Sequence, residues 1–383
     1  MSLFFNLHAN QELYETSDQT YQGLNDLVQI FPRSQFLKVQ GAMLHYHSQG
    51  LFLEMNLLRS QANGDTELEK AESLFSQILH ADPYRIDSLD HYSNILFVRN
   101  NRPKLAFLAQ LATTVDIYRP ETCCVVGNYY ALKSEHEKSV IYFRRALTLD
   151  RNFLSAWILM GHEYVELKNT HAAIESYRRA IDIQRKDYRA WYGLGQTYEV
   201  LEMHLYALFY YQRAASLKPL DQKMWQAVGS CYSKVGRLKQ SIKAFKRALR
   251  AGANPEIGSS FASSMSNIEA TNGGMDPETL YQIALLYEKL DDTNQAEAYM
   301  ELTIAQEESP DGDDVDEGSM RSGLGPTAIT SKARLWLAYH EMRSGGFKRA
   351  RILAEELLHD AMEVEEAKAL MRDLQARDES EKA

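Results

Sequence analysis

Four polar side chains recur in this sequence at a fixed step of 34 residues: Asn128, His162, Gln196 and Ser230. Amide, imidazole and hydroxyl groups set in such a ladder can donate and accept hydrogen bonds along an extended peptide backbone. Arg189, Tyr192 and Glu199 stand beside the ladder, and Glu166 lies one helical turn beyond His162. Carboxylates at Glu166 and Glu199 suit an arginine in the peptide, because a guanidinium pairs with a carboxylate through two parallel hydrogen bonds. This is chemistry of recognition, and motifs for bond breaking are missing from the sequence. His162-Glu163 opens like the HExxH zinc signature, but Glu166 occupies the second histidine position. His45 and His47 are two apart and fall on different helix faces, so no metal is expected. Gly193-Leu194-Gly195 lacks the third glycine and the preceding strand of a dinucleotide loop. Neither GxxxxGK[ST] nor GxSxG occurs, so the chain reads as a non-enzyme with no cofactor.

The elements that carry these residues follow from the same 34-residue step. Trp157, Trp191 and Trp225 keep it, as do Gly127, Gly161, Gly195 and Gly229. So do Tyr130, Tyr164, Tyr198 and Tyr232, then Phe143, Tyr177, Tyr211 and Phe245, then Ala146, Ala180, Ala214 and Ala248. That order is the tetratricopeptide signature, a helix–turn–helix unit. The small residues sit where helix A and helix B of a unit approach, and the aromatics fill the wider gaps. The expected fold is all-α: a tetratricopeptide superhelix whose A helices line a concave groove through the second, fifth, ninth and twelfth positions of each unit.

Four units fit the template, 120–153, 154–187, 188–221 and 222–255. Residues 1–119 read as degenerate units with a lengthened loop near 49–65, and 256–276 as a Gly/Ser/Asn-rich linker. Two further helix pairs are expected over 277–364, interrupted by a disordered acidic loop at 307–330. Residues 365–383 read as a charged helical tail with a fraying end.

Composition narrows the function classes. A formal net charge of -10 argues against general nucleic-acid binding, and no apolar stretch is long enough to span a membrane. Three cysteines, Cys123, Cys124 and Cys231, give no disulfide framework and fit a reducing compartment, cytosol or nucleus. The N-terminus lacks the pattern of a secretory leader. Charge is nevertheless local: 222–255 holds Lys223, Lys234, Arg237, Lys239, Lys243, Lys246, Arg247 and Arg250 with no carboxylate. Lys239, Lys243, Lys246 and Arg247 make a docking patch for an acidic neighbour, either a partner subunit or the acidic loop of this chain, set against the plainer reading of a solvated helix face. Ser309, followed by Pro310 in the acidic loop, is a candidate for a proline-directed kinase.

Particular runs carry more than the repeat. Asp82-Pro83-Tyr84-Arg85-Ile86, Tyr92-Ser93-Asn94, Glu121-Thr122-Cys123-Cys124-Val125-Val126-Gly127-Asn128-Tyr129-Tyr130, Met160-Gly161-His162-Glu163-Tyr164 and Arg185 to Gln196 closely resemble one family. It is the subunit 8, or cell-division-cycle protein 23, family of the anaphase-promoting complex, and the specific match covers about 80–250. The resemblance implies a non-catalytic scaffold of a nuclear ubiquitin ligase that docks other subunits of the complex and forms a homodimer. It also implies a groove that receives the arginine-containing C-box peptide of an activator, with contacts in the Asn128, His162 and Gln196 region. Family members carry a long N-terminal array, whereas about two degenerate units precede Asp82-Pro83 here. The expectation is therefore truncation or altered dimerisation, with association through an apolar start at Leu3, Phe4 and Phe5. The alternative is a co-chaperone-type adaptor that grips a C-terminal carboxylate. Its clamp needs groove lysines and arginines, of which Arg189 and Lys223 are only part.

Overall fold

The computed structural model describes residues 18–31, 34–48, 65–252, 275–307, 327–359 and 364–382. The lengthened loop, most of the 256–276 linker, most of the acidic loop with Ser309, and the Leu3–Phe5 start lie outside the described residues. Among the described residues the secondary structure is helical, with no strand. Contacts divide the chain into two compact units, Met1–Leu217 and Lys218–Ala383.

The first unit contains α1 (Asp18–Ile30), α2 (Gln35–Ser48), α3 (Asp65–Ala81), α4 (Leu89–Val98), α5 (Arg102–Val115) and α6 (Pro120–Leu132). It continues with α7 (His136–Leu149), α8 (Leu154–Glu166), α9 (Thr170–Ile183), α10 (Tyr188–Val200) and α11 (His204–Leu217). Each A helix packs on its own B helix, and successive A helices also touch, α4 on α6, α6 on α8 and α8 on α10. The glycine column explains the close approach. A Cβ built on Gly161 of α8 would lie 2.6 Å from the Tyr177 ring of α9, and one on Gly193 of α10 would also lie 2.6 Å from it. Tyr177 is thus a slab between two glycine-bearing helices, and Ala146, Ala180 and Ala214 are fully buried beside their aromatics.

The turns between A and B helices repeat as faithfully as the core. Asn100, Ser134, Lys168 and Glu202 all have positive φ, between 52° and 62°. They stand 34 apart and let the chain reverse in a few residues. The tryptophans do less gap filling than expected. Trp157 Nε1 donates to the Arg151 carbonyl and Trp191 Nε1 to the Arg185 carbonyl, both at 2.9 Å, so each indole latches the loop leading into its own repeat.

The second unit contains α12 (Gln222–Lys234), α13 (Leu238–Gly252), α14 (Pro277–Glu288), α15 (Thr293–Ala305), α16 (Ala328–Ser344), α17 (Phe347–His359) and α18 (Val364–Lys382). Ile242, Phe245, Leu280, Ile283, Met300 and Leu337 form its core. Two expectations are corrected here. Glu307, read as the start of the acidic loop, is packed in and ion-paired with Arg334. The C-terminal segment is more than a charged tail, because Leu370 and Leu374 of α18 bury against Ala338, Ala350 and Ala354. Those two leucines and Ala367 follow at i, i+3 and i+7, the stripe a capping helix presents to the repeat before it.

Candidate peptide-binding wall

The A helices α4, α6, α8 and α10 form one wall in the first unit. Ser155 Oγ at the start of α8 donates to Asp90 Oδ2 of α4 at 3.0 Å, reaching past α6. Helices two repeats apart can meet only on the inside of a curve, so this face is concave.

The ladder is not uniformly open. Asn128 is 1% exposed, and its Nδ2 donates to Ser93 Oγ at 2.8 Å and Asn94 Oδ1 at 2.7 Å. It clamps α6 to α4 and is a buried joint rather than an open rung. Its register matches the ladder, but the polar residues of the preceding repeat absorb its amide. His162 and Gln196 are half-buried on the wall, and Ser230, also half-buried, belongs to the second unit. His162 Nδ1 pairs with the Tyr177 hydroxyl at 2.9 Å.

Arg189 departs furthest from the expected peptide-facing cation. It is 2% exposed and grips the fully buried Asp187, with Nε 3.0 Å from Oδ1 and a terminal amino group 2.7 Å from Oδ2. The guanidinium is held inside its own turn, which disfavours a clamp for a free carboxylate. Tyr192 is buried with its ring 5.0 Å from that of Tyr211. Glu199 accepts the Tyr211 hydroxyl at 2.7 Å and is half-buried. Glu166 is exposed at the end of α8. The wall therefore brings His162, Gln196 and Glu199 toward the open face, with Glu166 at its rim.

Sequence reasoning missed the buried carboxylates of this wall. Asp90 and Glu163 are almost wholly buried and Glu121 is half-buried. Burial pushes the Glu121 carboxyl up, against the opposing charge of Arg119. Burial also pushes Glu163 up to about 6, although His136 Nδ1 lies 2.9 Å from its Oε2 and pulls the other way. Glu163 was visible in the HExxH-like run, but spacing alone gave no sign of its partner on α7.

His162 moves oppositely. Burial, with the Arg189 charge adding to it, pushes its imidazole down to about 4 from 6.5. Between pH 6.5 and about 4 the unfolded chain binds a proton that folded His162 refuses, so stability falls as pH drops through that window. Glu163 acts against this: from about pH 6 down to 4.5 the folded chain holds a proton that the unfolded chain releases, so its contribution rises. In thermal unfolding, the stability lead of the parent over His162→Gln should shrink steadily as pH is lowered from 7 to 5. A lead that stays constant would mean His162 does not couple to folding through its proton.

In the docking patch of the second unit, Lys239, Lys243 and Arg247 are exposed, but Lys246 is not a free member. Its Nζ donates to the Tyr287 hydroxyl at 2.9 Å and lies 5.4 Å from the Tyr299 ring centre, tying α13 to α14. Among the described residues no group of three or more metal-ligating side chains is assembled, and no helix is long and apolar enough to cross a membrane.

Known proteins resemble the chain over most of its length. A family model described as anaphase promoting complex subunit 8 / Cdc23 matches residues 1–42. Tetratricopeptide repeat models match 120–153, 161–201, 222–252 and 277–305. The anaphase-promoting complex subunit CDC23 of Saccharomyces cerevisiae is 43% identical over 374 residues, which are 97% of this chain and 52% of that protein. Anaphase-promoting complex subunit 8 of Dictyostelium discoideum is 37% identical over 159 residues, 41% of this chain and 24% of its own length. The crystal structure of the APC/C hetero-tetramer Cut9-Hcn1 aligns with a TM-score of 0.56, covering 93% of this chain and 59% of that one. At 16% identity that likeness is one of fold. The chain spans about half the length of the yeast relative.

Proposed function

This chain belongs to the subunit 8 / Cdc23 family of the anaphase-promoting complex, and from that membership we propose that it is a non-catalytic scaffold subunit of that ubiquitin ligase, acting in the nucleus. The observation that carries the reading is the 43% identity to the yeast subunit over 97% of this chain. A rigid stack of helix pairs supplies surface rather than a reacting group, which suits a protein that docks neighbouring subunits and a second copy of itself.

The concave wall of α4, α6, α8 and α10 is the proposed seat of an activator's C-box peptide. Half-buried Glu199, with exposed Glu166 at the rim, offers carboxylates for an arginine, and Gln196 offers an amide that makes no hydrogen bond to the described residues. Asn128, Arg189 and Tyr192 contribute by holding the wall in shape. The test uses the full chain and a labelled synthetic C-box peptide. Replacing Gln196 and Glu166 together with alanine should weaken binding about tenfold to a hundredfold, the scale of one or two lost hydrogen bonds to charged groups. Thermal stability should change little, since Glu166 is exposed and Gln196 makes no hydrogen bond to the described residues. Unchanged affinity would move the peptide off this wall.

A further inference from the structure

The exposed face of α13 carries a stripe of cations. Lys239, Lys243, Arg247 and Arg250 follow at steps of four, four and three residues and all are exposed, a spacing that keeps side chains on one face of a helix. The opposite face is buried through Ile242, Phe245 and Ala248, so the stripe is fixed outward. Among the described residues Lys239 and Lys243 make no ion pair or hydrogen bond, and Arg247 lies over the Trp225 ring at 5.0 Å. The positions equivalent to Lys239 and Lys243 one repeat earlier, Leu205 and Phe209, are exposed and apolar, whereas Arg247 has Arg213 as its equivalent, stacked over Trp191, so the two lysines are what is particular to α13.

A cleft of about 430 Å³ opens at the head of the stripe, lined by Gly236, Arg237, Leu238, Lys239, Gln240 and Leu290. The two leucines are half-buried and the two cations exposed. Such a surface fits an extended segment in which one apolar side chain is set among carboxylates. This unit's own sequence contains one: Val315 lies between Asp313-Asp314 and Asp316-Glu317. Residues 308–326 hold six carboxylates (Glu308, Asp311, Asp313, Asp314, Asp316 and Glu317) and one cation, Arg321, against eight cations and no carboxylate in 222–252.

The tether is long enough. α13 packs on α14 and α14 on α15, and neighbouring helices lie about 10 Å apart, so the sideways distance from α15 is about 20 Å. The stripe itself runs about 17 Å at 1.5 Å per residue. Glu307 to Val315 spans about 27 Å when extended, and the return to Thr327 has still more chain.

We propose that residues 311–317 dock on α13, with Val315 in the cleft and the flanking carboxylates on Lys239, Lys243 and Arg247. Individually such exposed pairs are worth little. Tethering converts the contact into an intramolecular one at an effective concentration of order millimolar, which lets several weak pairs act together.

Zero-length carbodiimide coupling of the full chain, read by peptide mass spectrometry, tests this. Lys239 and Lys243 should join carboxylates of Asp311–Glu317, with a yield that falls several-fold between about 0.05 M and about 0.5 M salt as the charges are screened. Val315→Arg should cut the yield several-fold as well. In a mixture of isotopically light and heavy chains the products should be light–light and heavy–heavy. Lys368, whose Nζ lies 3.4 Å from Glu365 Oε1, supplies an internal control for coupling. The proposal is overturned if the control couples while Lys239 and Lys243 do not join this segment. It is equally overturned if light–heavy products dominate, which would put a second copy on the stripe, or if Val315→Arg leaves the yield unchanged.

Discussion

Replacing Tyr177 with alanine lowers the local stability of the α8–α9–α10 stack by about 3–5 kcal/mol, the range for emptying a large buried aromatic site. The side chain is fully buried, and its ring fills the space left by two glycines, Gly161 and Gly193, on successive A helices. Neither helix can close the gap alone, because each is also held by its own neighbours through Ile158, Leu159 and Leu194, all close to fully buried. The hydroxyl adds a separate part through its 2.9 Å bond to His162 Nδ1. Tyr177→Phe isolates that part and should cost about 1–2 kcal/mol. Hydrogen exchange of the α9 amides in the full chain reads the local opening energy directly, which matters because repeat stacks need not unfold in one step. If Tyr177→Ala cost no more than Tyr177→Phe, the glycine–aromatic–glycine sandwich would not be what holds successive repeats together.

The Gly161–Tyr177 half of that sandwich was legible in the sequence because both recur in register, whereas Gly193, with Leu159 and Ala227 at the equivalent positions, was not. A column of Gly against a column of Phe or Tyr at one fixed step has few structural meanings. The left-handed turn residues recur as strictly, at Asn100, Ser134, Lys168 and Glu202, yet no residue type marks them. Backbone geometry imposes that conformation, and four different side chains tolerate it. Gly236, 34 residues after Glu202, is the single member whose identity betrays the turn. The wall was harder for a different reason. Whether a polar residue in a groove column faces a ligand or a neighbour depends on side chains from other repeats. Asn128 is absorbed by Ser93 and Asn94, whereas Gln196 in the same column meets no such partner among the described residues. Column position alone cannot separate the two. The end of the chain misled by composition: α18 is rich in charge, and the short stripe of Ala367, Leu370 and Leu374 that docks it is easily lost among those residues.

Asp187→Ala is expected to destabilise the same region by about 3–5 kcal/mol, because it leaves the Arg189 guanidinium charged inside the protein without its carboxylate. Asp187 is fully buried and engages Arg189 at 3.0 Å through Nε and 2.7 Å through a terminal amino group. It also accepts the Arg189 backbone N–H at 2.9 Å, capping the start of α10, and losing a cap alone costs about 1 kcal/mol. The charge and the cap can be separated. Arg189→Met in the Asp187→Ala background removes the stranded cation while keeping a long side chain in the space. It should recover all but the part due to the cap, since a buried pair is often replaceable by apolar residues at little net cost. The double variant makes a second, independent demand. Arg189 is one of the two causes that depress the His162 imidazole, after burial, so removing it should raise that pKa from about 4 toward the ordinary value. A double variant as unstable as Asp187→Ala would mean that Asp187 acts mainly as a cap. A recovered variant with His162 unchanged by NMR titration would mean that Arg189 and the wall histidine are electrically separate.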